Sequence, residues 1–395
     1  MKIGIDAHGI GGHSFAPGNE TYFGNLIREL LAIDNQNEYH IFVNHPESMA
    51  ATVKGRANAR LVALRPKSQW IQRPFSLPLY SRTHGLDLVH VPFCRPPFTG
   101  AKTIVTVHDA NFELFPQDFT TVELCRLKLL VPSSCRDADL IFTVSEYAKD
   151  ELCRLYNLPR QKVVVTYNAA DHFLDRAAVA SRLEGAAVPH QDAAPASTGF
   201  PEPYIFFVGM IAPKKNLVRL VKAFDLIKSR TSLPHQLVIA GKWGWKNEEL
   251  KAVLLTLRYR GSIHFPGYLT PAQLDRLLLR AEVFVFPSLY EAFGIPPMEA
   301  QAFGVPVLIS ETTCFPEIYG NSAAYCDPYS VDSIAAALES LLLDPVKRAE
   351  LVALGRKRVS HFQWNRTART ALAAYQSLFA KDPSPAADLV GTQTP

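Results

Sequence analysis

Short runs of valine, isoleucine and phenylalanine recur along this chain, each separated from the next by a stretch of helical period, and the alternation occurs as two series. The first series contains Lys2-Ile-Gly-Ile-Asp6, Tyr39-His-Ile-Phe-Val43, Leu86-Asp-Leu-Val-His-Val91, Lys102-Thr-Ile-Val-Thr-Val-His108, Leu140-Ile-Phe-Thr-Val144 and Val163-Val-Val-Thr-Tyr167. Strands that are apolar on both faces belong in a parallel sheet covered by helices on both sides. Helices are expected from about Glu20 to Ala32, over 121–135, and from Ser145 to Tyr156, where Ser145 suits a cap. The second series runs through Tyr204-Ile-Phe-Phe-Val-Gly209, Gln236-Leu-Val-Ile-Ala-Gly241, Ile263-His-Phe265, Val283-Phe-Val-Phe-Pro287 and Val305-Pro-Val-Leu-Ile-Ser310. Its expected helices cover 216–229, 246–259, 271–280 and about Ser330 to Leu343.

With 395 residues the chain exceeds what one hydrophobic core usually serves, so two α/β domains are expected. The first spans 1–175 and the second 204–364. Residues 176–203, rich in Ala, Pro, Ser and Gly without a sustained period, read as a linker or insertion. The tail 381–395, rich in Pro, Ala and Thr, reads as disordered.

Composition removes several classes of function. A net charge of +4 is too small to argue for nucleic acid, and no nucleic-acid-binding motif accompanies it. Six cysteines are scattered without metal-ligand spacing, so neither zinc nor a disulfide framework is expected. The first residues enter a buried-strand pattern directly and no apolar stretch is long enough for a membrane span, which points to the cytoplasm. The charge is unevenly placed. From Ser48 to Leu86 there is no acidic residue, while Lys54, Arg56, Arg60, Arg65, Lys67, Arg73 and Arg82 are interleaved with Trp70, Ile71, Phe75, Leu77, Leu79 and Tyr80. That mixture suits peripheral contact with anionic lipid on the inner face of the cell membrane, or with a phosphorylated acceptor. A solvated basic face whose apolar members belong to the core fits it equally.

Two carboxylates stand out in Pro287-Ser-Leu-Tyr-Glu-Ala-Phe-Gly-Ile-Pro-Pro-Met-Glu-Ala300. Glu291 falls in the loop after a strand. Pro296 and Pro297 suit the first positions of a helix, which puts Glu299 in its first turn, and Gly294 lets backbone approach a ligand. The carboxyl ends of parallel strands are where ligands bind, and a helix start there favours an anion. Carboxylates beside such a site accept hydrogen bonds from sugar or ribose hydroxyls. A helix-dipole contact for Glu299 and solvation for Glu291 are the plainer alternatives.

The longer stretch Tyr290-Glu-Ala-Phe-Gly-Ile-Pro-Pro-Met-Glu-Ala-Gln-Ala-Phe-Gly-Val-Pro-Val307 resembles the donor-site signature of the retaining glycosyltransferase family 4, and the resemblance extends from the N-terminus to about residue 380. It implies the α/β GT-B fold, two Rossmann-like domains with parallel sheets facing a central cleft, and a last helix, 365–380, that crosses back to the N-terminal domain. It also implies front-face departure and attack on one side of the sugar, without a metal or other cofactor.

Lys215 in Val208-Gly-Met-Ile-Ala-Pro-Lys-Lys-Asn-Leu217 lies between a strand and a helix, where it can neutralise a leaving nucleoside diphosphate. The family often carries an arginine just after the strand glycine; Met210 stands there instead, leaving open whether Lys214 compensates. His108 falls at a strand's carboxyl end and, by resemblance, touches the transferred sugar. Beside it Asp109 is either a candidate acceptor contact or the cap of the following turn. The loop His8-Gly-Ile-Gly-Gly-His-Ser-Phe-Ala-Pro-Gly-Asn-Glu20 is not a dinucleotide fingerprint, because Ser14 replaces the third glycine, which disfavours a nicotinamide enzyme.

The resemblance therefore assigns catalysis to His108, Glu291 and Lys215. It assigns donor binding to Gly18, Gly209, Lys215, Phe293, Gly294, Ile295 and Glu299, with His13, Asn19 and Asp109 as candidate acceptor contacts. The expected reaction moves a mannose- or glucose-like hexose from GDP-mannose or a UDP-hexose to a glycan or lipid-linked acceptor. Two rivals remain at the level of sequence: a nucleotide-sugar epimerase on the same fold, and a silent nucleotide- or membrane-binding partner of another transferase, which only Met210 favours.

Overall fold

The computed structural model describes residues 1–11, 17–68, 71–185 and 199–380. His13, Trp70, the stretch 186–198 and the tail 381–395 lie outside the described residues, as does most of the loop before the first helix. The chain forms two α/β units, Met1–Asn168 with the stretch from Gln363 onward, and Ala169–Phe362.

Unit 1 holds a seven-stranded parallel sheet of β1 (Lys2–Asp6), β2 (Glu38–Phe42), β3 (Ala59–Val62), β4 (Leu88–Pro92), β5 (Lys102–Thr106), β6 (Leu140–Thr143) and β7 (Val163–Val165). Their order is β3-β2-β1-β4-β5-β6-β7, so the winding reverses between β1 and β4. Central strands are buried along nearly their whole length, as their Val/Ile content requires, whereas the edge strand β3 is half-exposed. Ser145 caps the helix Glu146–Tyr156 by accepting the Ala148 amide. The helix Trp364–Ser377 belongs to this unit and packs on the helix Pro17–Ile33. It buries Trp364, Ala368, Ala371, Ala374 and Tyr375.

A polar link fixes that last helix to the sheet. His90 on β4 lies 2.7 Å from the Tyr375 hydroxyl through Nδ1 and 2.6 Å from Thr106 Oγ1 through Nε2. Both partners are hydroxyls, so a neutral imidazole is satisfied on each side. Burial pushes the His90 pKa down to about 3, with Asp6 opposing and His108 adding to the fall.

Unit 2 holds β8 (Tyr204–Val208), β9 (Gln236–Ala240), β10 (Ile263–Gly267), β11 (Val283–Phe286), β12 (Val307–Ser310) and β13 (Ala324–Cys326), all parallel in the order β10-β9-β8-β11-β12-β13. The helix Leu217–Arg230 buries one apolar face of Leu217, Leu220, Val221, Phe224 and Ile227. The helix Pro271–Arg280 starts with a capping box between Thr270 and Gln273.

The stretch 176–203 is not a linker throughout. Asp171–Gly185 is a helix that packs against the helices Pro271–Arg280 and Ile295–Ala302, so the second unit begins at Ala169 rather than 204. The alanines that suggested a loop are strong helix formers, and they give little amphipathic contrast because their side chains are small.

The folded pKa of His90 lies below the ordinary histidine value near 6.5, so acid protonates the unfolded chain first and withdraws stability. Urea denaturation should therefore show falling midpoints as pH drops from about 6.5 toward 4. His90→Gln should flatten that dependence, and an unchanged slope in the variant would contradict this role for the residue.

Candidate active site

The crevice of unit 2 follows from strand order. Where winding reverses, between β8 and β11, successive crossovers leave in opposite directions and their loops part at the carboxyl ends of the strands. The loops after these two strands carry Lys215 and Glu291. Asn216 stitches them together: with φ of 60° it ends the short turn Pro213–Lys215, and its Nδ2 donates to Pro287 O at 2.9 Å and Pro328 O at 2.6 Å. In the same seam the Leu289 amide donates to Lys214 O at 2.8 Å.

Across this seam Lys215 Nζ donates to Glu291 Oε1. The ammonium also lies 4.6 Å from the centre of the Phe286 ring, and the two charged side chains are only 12% and 13% exposed. A salt bridge so withdrawn from water is strongly coupled, since removing either partner leaves the other charge poorly solvated.

Gly209 closes β8, its amide donating to Ala240 O at 3.0 Å. Gly241 is its necessary neighbour: φ there is 140°, and a Cβ would fall 1.8 Å from Gly209 O. Met210 occupies the family's arginine position and packs toward Gly244, where an added Cβ would meet Met210 Cγ at 3.2 Å.

Gly294 caps the helix Ile295–Ala302 with φ of 82°, and a Cβ there would lie 2.5 Å from Phe315. The Tyr319 hydroxyl donates to Gly294 O, which pins this helix start. Pro296 and Pro297 occupy the first turn and carry no N–H, so the amides of Gly294 and Ile295 are the donors at its open end. Phe293 turns inward, 3% exposed, with its ring edge-on to Phe362 at 5.4 Å. Its side chain is core, and only its backbone borders the loop.

Glu299 departs from expectation. The helix begins at Ile295, so Glu299 is its fifth residue and lies in the second turn; the first turn has no acid. Arg176, on the helix Asp171–Gly185, donates through Nη1 to Glu299 Oε1 at 2.8 Å and through Nη2 to Asp275. Burial pushes the Glu299 pKa up despite the arginine, and Asp275 beside the same cation adds to the rise. Sequence reading missed Arg176, whose only signal was a cation within an alanine-rich run.

In unit 1, His108 follows β5 with its ring 4.9 Å from Tyr22, edge-on, and 6.2 Å from Phe93. Its Nε2 is buried without a hydrogen-bond partner among the described residues, and burial pushes its pKa down to about 4. The imidazole is neutral at physiological pH and retains an unsatisfied nitrogen. Asp109 Oδ1 accepts the Asn111 amide at 3.3 Å, the turn-capping alternative. Gly18 and Asn19 lie in the first turn of Pro17–Ile33 rather than before it. Among the described residues, nothing lies within 4 Å of a Cβ added at Gly18, and Asn19 Oδ1 is buried without a partner. The candidate contact His13 is outside the described residues.

Two family models match the chain: Glycosyltransferase Family 4 over residues 18–172 and Glycosyl transferases group 1 over residues 191–358. The chain belongs to glycosyltransferase family 4. It is therefore a glycosyltransferase, and its two parallel-sheet units are those of the GT-B fold. Among curated relatives, the O-antigen chain mannosyltransferase B of Escherichia coli is 27% identical over 80% of this chain and 78% of its own length. The serotype-specific mannosyltransferase WbdA of Escherichia coli is 29% identical over 86% of this chain, which spans only 40% of that relative. Among solved structures, sucrose-phosphate synthase of Thermosynechococcus elongatus covers 96% of this chain and 100% of its own with a TM-score of 0.69 at 19% identity. Anabaena HepE, solved with UDP and glucose, covers 95% of this chain and 100% of its own with a TM-score of 0.65 at 15% identity.

Lys215→Met and Glu291→Gln should each lower the unfolding free energy by about 3 kcal/mol in urea titrations, and the double variant should lose clearly less than the sum. Strict additivity would contradict the coupling. Arg176→Met should cost a similar amount, because it leaves Glu299 and Asp275 without their shared cation, and Glu299→Gln should recover part of that loss.

Proposed function

We propose that this enzyme transfers mannose from GDP-mannose, with retention of configuration, to a glycan or lipid-linked acceptor. The observation that carries this reading is the Lys215–Glu291 pair, held by loops from the two strands that flank the reversal of winding in unit 2. The mannosyltransferase names of the curated relatives favour mannose. A UDP-hexose donor, as in the HepE complex with UDP-glucose, is the other arm of the proposal.

Donor binding then works by exchange. The diphosphate takes the Lys215 ammonium, and the amides of Gly294 and Ile295 at the helix start supply further donors to the anion. Glu291, released from its lysine, accepts hydrogen bonds from sugar hydroxyls. Glu299 keeps Oε1 on Arg176 and offers Oε2 to the ribose. Departure of the diphosphate runs ahead of attack, so fixed positive charge on the leaving group lowers the barrier directly. The leaving phosphate oxygen receives the acceptor proton, and no protein nucleophile or metal is invoked. The neutral His108 serves the transferred sugar through its unsatisfied nitrogen, and the inner membrane face is the location proposed for the acceptor.

A panel of nucleotide sugars should give nucleoside diphosphate release with GDP-mannose that rises when a mannan-type acceptor is added. Absence of binding and release with every donor would sink the proposal, and acceptor-independent conversion of the sugar would identify an epimerase. Glu291→Gln should cut kcat by about a hundredfold or more with a smaller change in KM, whereas equal losses would make it a ground-state contact. Protonation of His108 should not limit the rate between about pH 5 and 8, because acid would disable it only near its pKa of about 4.

A further inference from the structure

Unit 1 contains a cavity of about 390 Å3 between the turn Gln72–Ser76, the loop after β4 and the final turns of the helix Thr121–Asp137. Three arginines line it, Arg73, Arg95 and Arg126, against one acid, Asp137. With Asp6 paired to Arg73, one positive charge remains in excess, and it borders a concave space. Such a wall attracts an anion, because the low-dielectric sides focus the field of the guanidinium groups.

Two of the arginines are held in place. Arg73 donates through Nε to Asp6 Oδ2 at 3.3 Å, and that carboxylate, 1% exposed, is itself 2.5 Å from His8 Nδ1. Burial pushes the Asp6 pKa up, but His8 and Arg73 outweigh it and hold the group well below the ordinary carboxylate range, so the anchor stays charged. Arg95 donates through Nε to Thr103 Oγ1 at 3.0 Å, and its amide donates to Ser134 Oγ at 2.9 Å. Each contact uses Nε and leaves both terminal NH2 groups without an acceptor among the described residues. A guanidinium fixed in this way has already lost much of the freedom that anion binding would otherwise remove. Ser134, 5% exposed, borders the same cavity.

Apart from Ser133, the rest of the lining carries no oxygen or nitrogen side-chain group. Pro74, Pro96, Pro97 and Leu130 contribute to the wall, and their immediate chain neighbours Phe75, Phe98 and Leu129 are 67%, 76% and 71% exposed. Arginines in a concave wall flanked by exposed apolar side chains complement a charged head on a hydrocarbon tail. Planar guanidinium forks match phosphate oxygens, which favours phosphate as that head.

We propose that this cavity binds the phosphate of a lipid, supplied by a bilayer phospholipid or by the phosphate that joins an acceptor to its lipid. The site belongs to unit 1 and stands on its own geometry; only the second source rests on the function proposed above.

Calorimetric titration of the full chain, without donor, tests it with four probes: dihexanoyl phosphatidic acid, dihexanoyl phosphatidylcholine, farnesyl phosphate and inorganic phosphate. One of the two phosphomonoester lipids should bind at least about tenfold more tightly than inorganic phosphate. Arg126→Gln, on an exposed position, should weaken that binding about tenfold, the effect of losing a charge-assisted hydrogen bond. Arg73→Lys, which keeps a cation beside Asp6 but removes the fork, should weaken it too. Preference for farnesyl phosphate supports the acceptor as source, and preference for phosphatidic acid supports the bilayer. Equal binding of inorganic phosphate, or lipid binding unchanged in both variants, would overturn the proposal. Because donor is absent, failure here would leave the transferase reading standing, and a failed donor panel would leave this site standing.

Discussion

A parallel sheet wound outward from its middle has one place that its own crossovers cannot cover. In unit 2 that place lies between β8 and β11, and the residues there have to satisfy two diverging loops and, in the proposed function, a ligand. Asn216 meets the first demand by binding carbonyls from the segments after β11 and β13, at Pro287 and Pro328. Lys215 and Glu291 meet the second, and their mutual attraction keeps both charges satisfied within a largely dry crevice. In the proposed function a donor anion competes for a cation that already has a partner, so donor selectivity would include the difference between two ion pairs and not only the contacts formed.

Unit 1 uses burial in the opposite way. His90 and His108 are both driven toward the neutral form, but His90 has a hydroxyl on each nitrogen while His108 leaves Nε2 without a partner among the described residues. The same desolvation therefore yields a structural clamp at one residue and an unspent hydrogen-bonding group at the other. Unpaired buried nitrogen is costly, which makes it informative about where a ligand is expected.

The central strands were legible because Val/Ile runs buried on both faces permit few other states. Two of the four edge strands were not: Ala59–Val62 is half-exposed and sits inside a basic run, and Ala324–Cys326 spans too few residues to show a period. Lys215 and Glu291 were legible from their places after strands, but not their ion pair, which joins residues 76 apart and depends on strand order. The prolines correctly marked a helix start, yet counting from Pro296 instead of Ile295 put Glu299 one residue too early, in the first turn instead of the second. Phe293 resembled a ligand contact in the motif, although its ring serves packing. Arg176 lay in a stretch whose alanines hid a helix, so Glu299's partner could not be seen from Glu299.

That partner alters where the second unit can be said to begin. The match to the second family model starts at residue 191, and the strand pattern resumes at Tyr204, but the cation shared by Glu299 and Asp275 comes from residue 176. The segment from Ala169 is therefore chemically part of the second unit: a fragment cut at the strand pattern would carry two carboxylates drawn around a missing charge. Autonomy of this half, whether in recombination between relatives or in dissection of the enzyme, starts at Ala169.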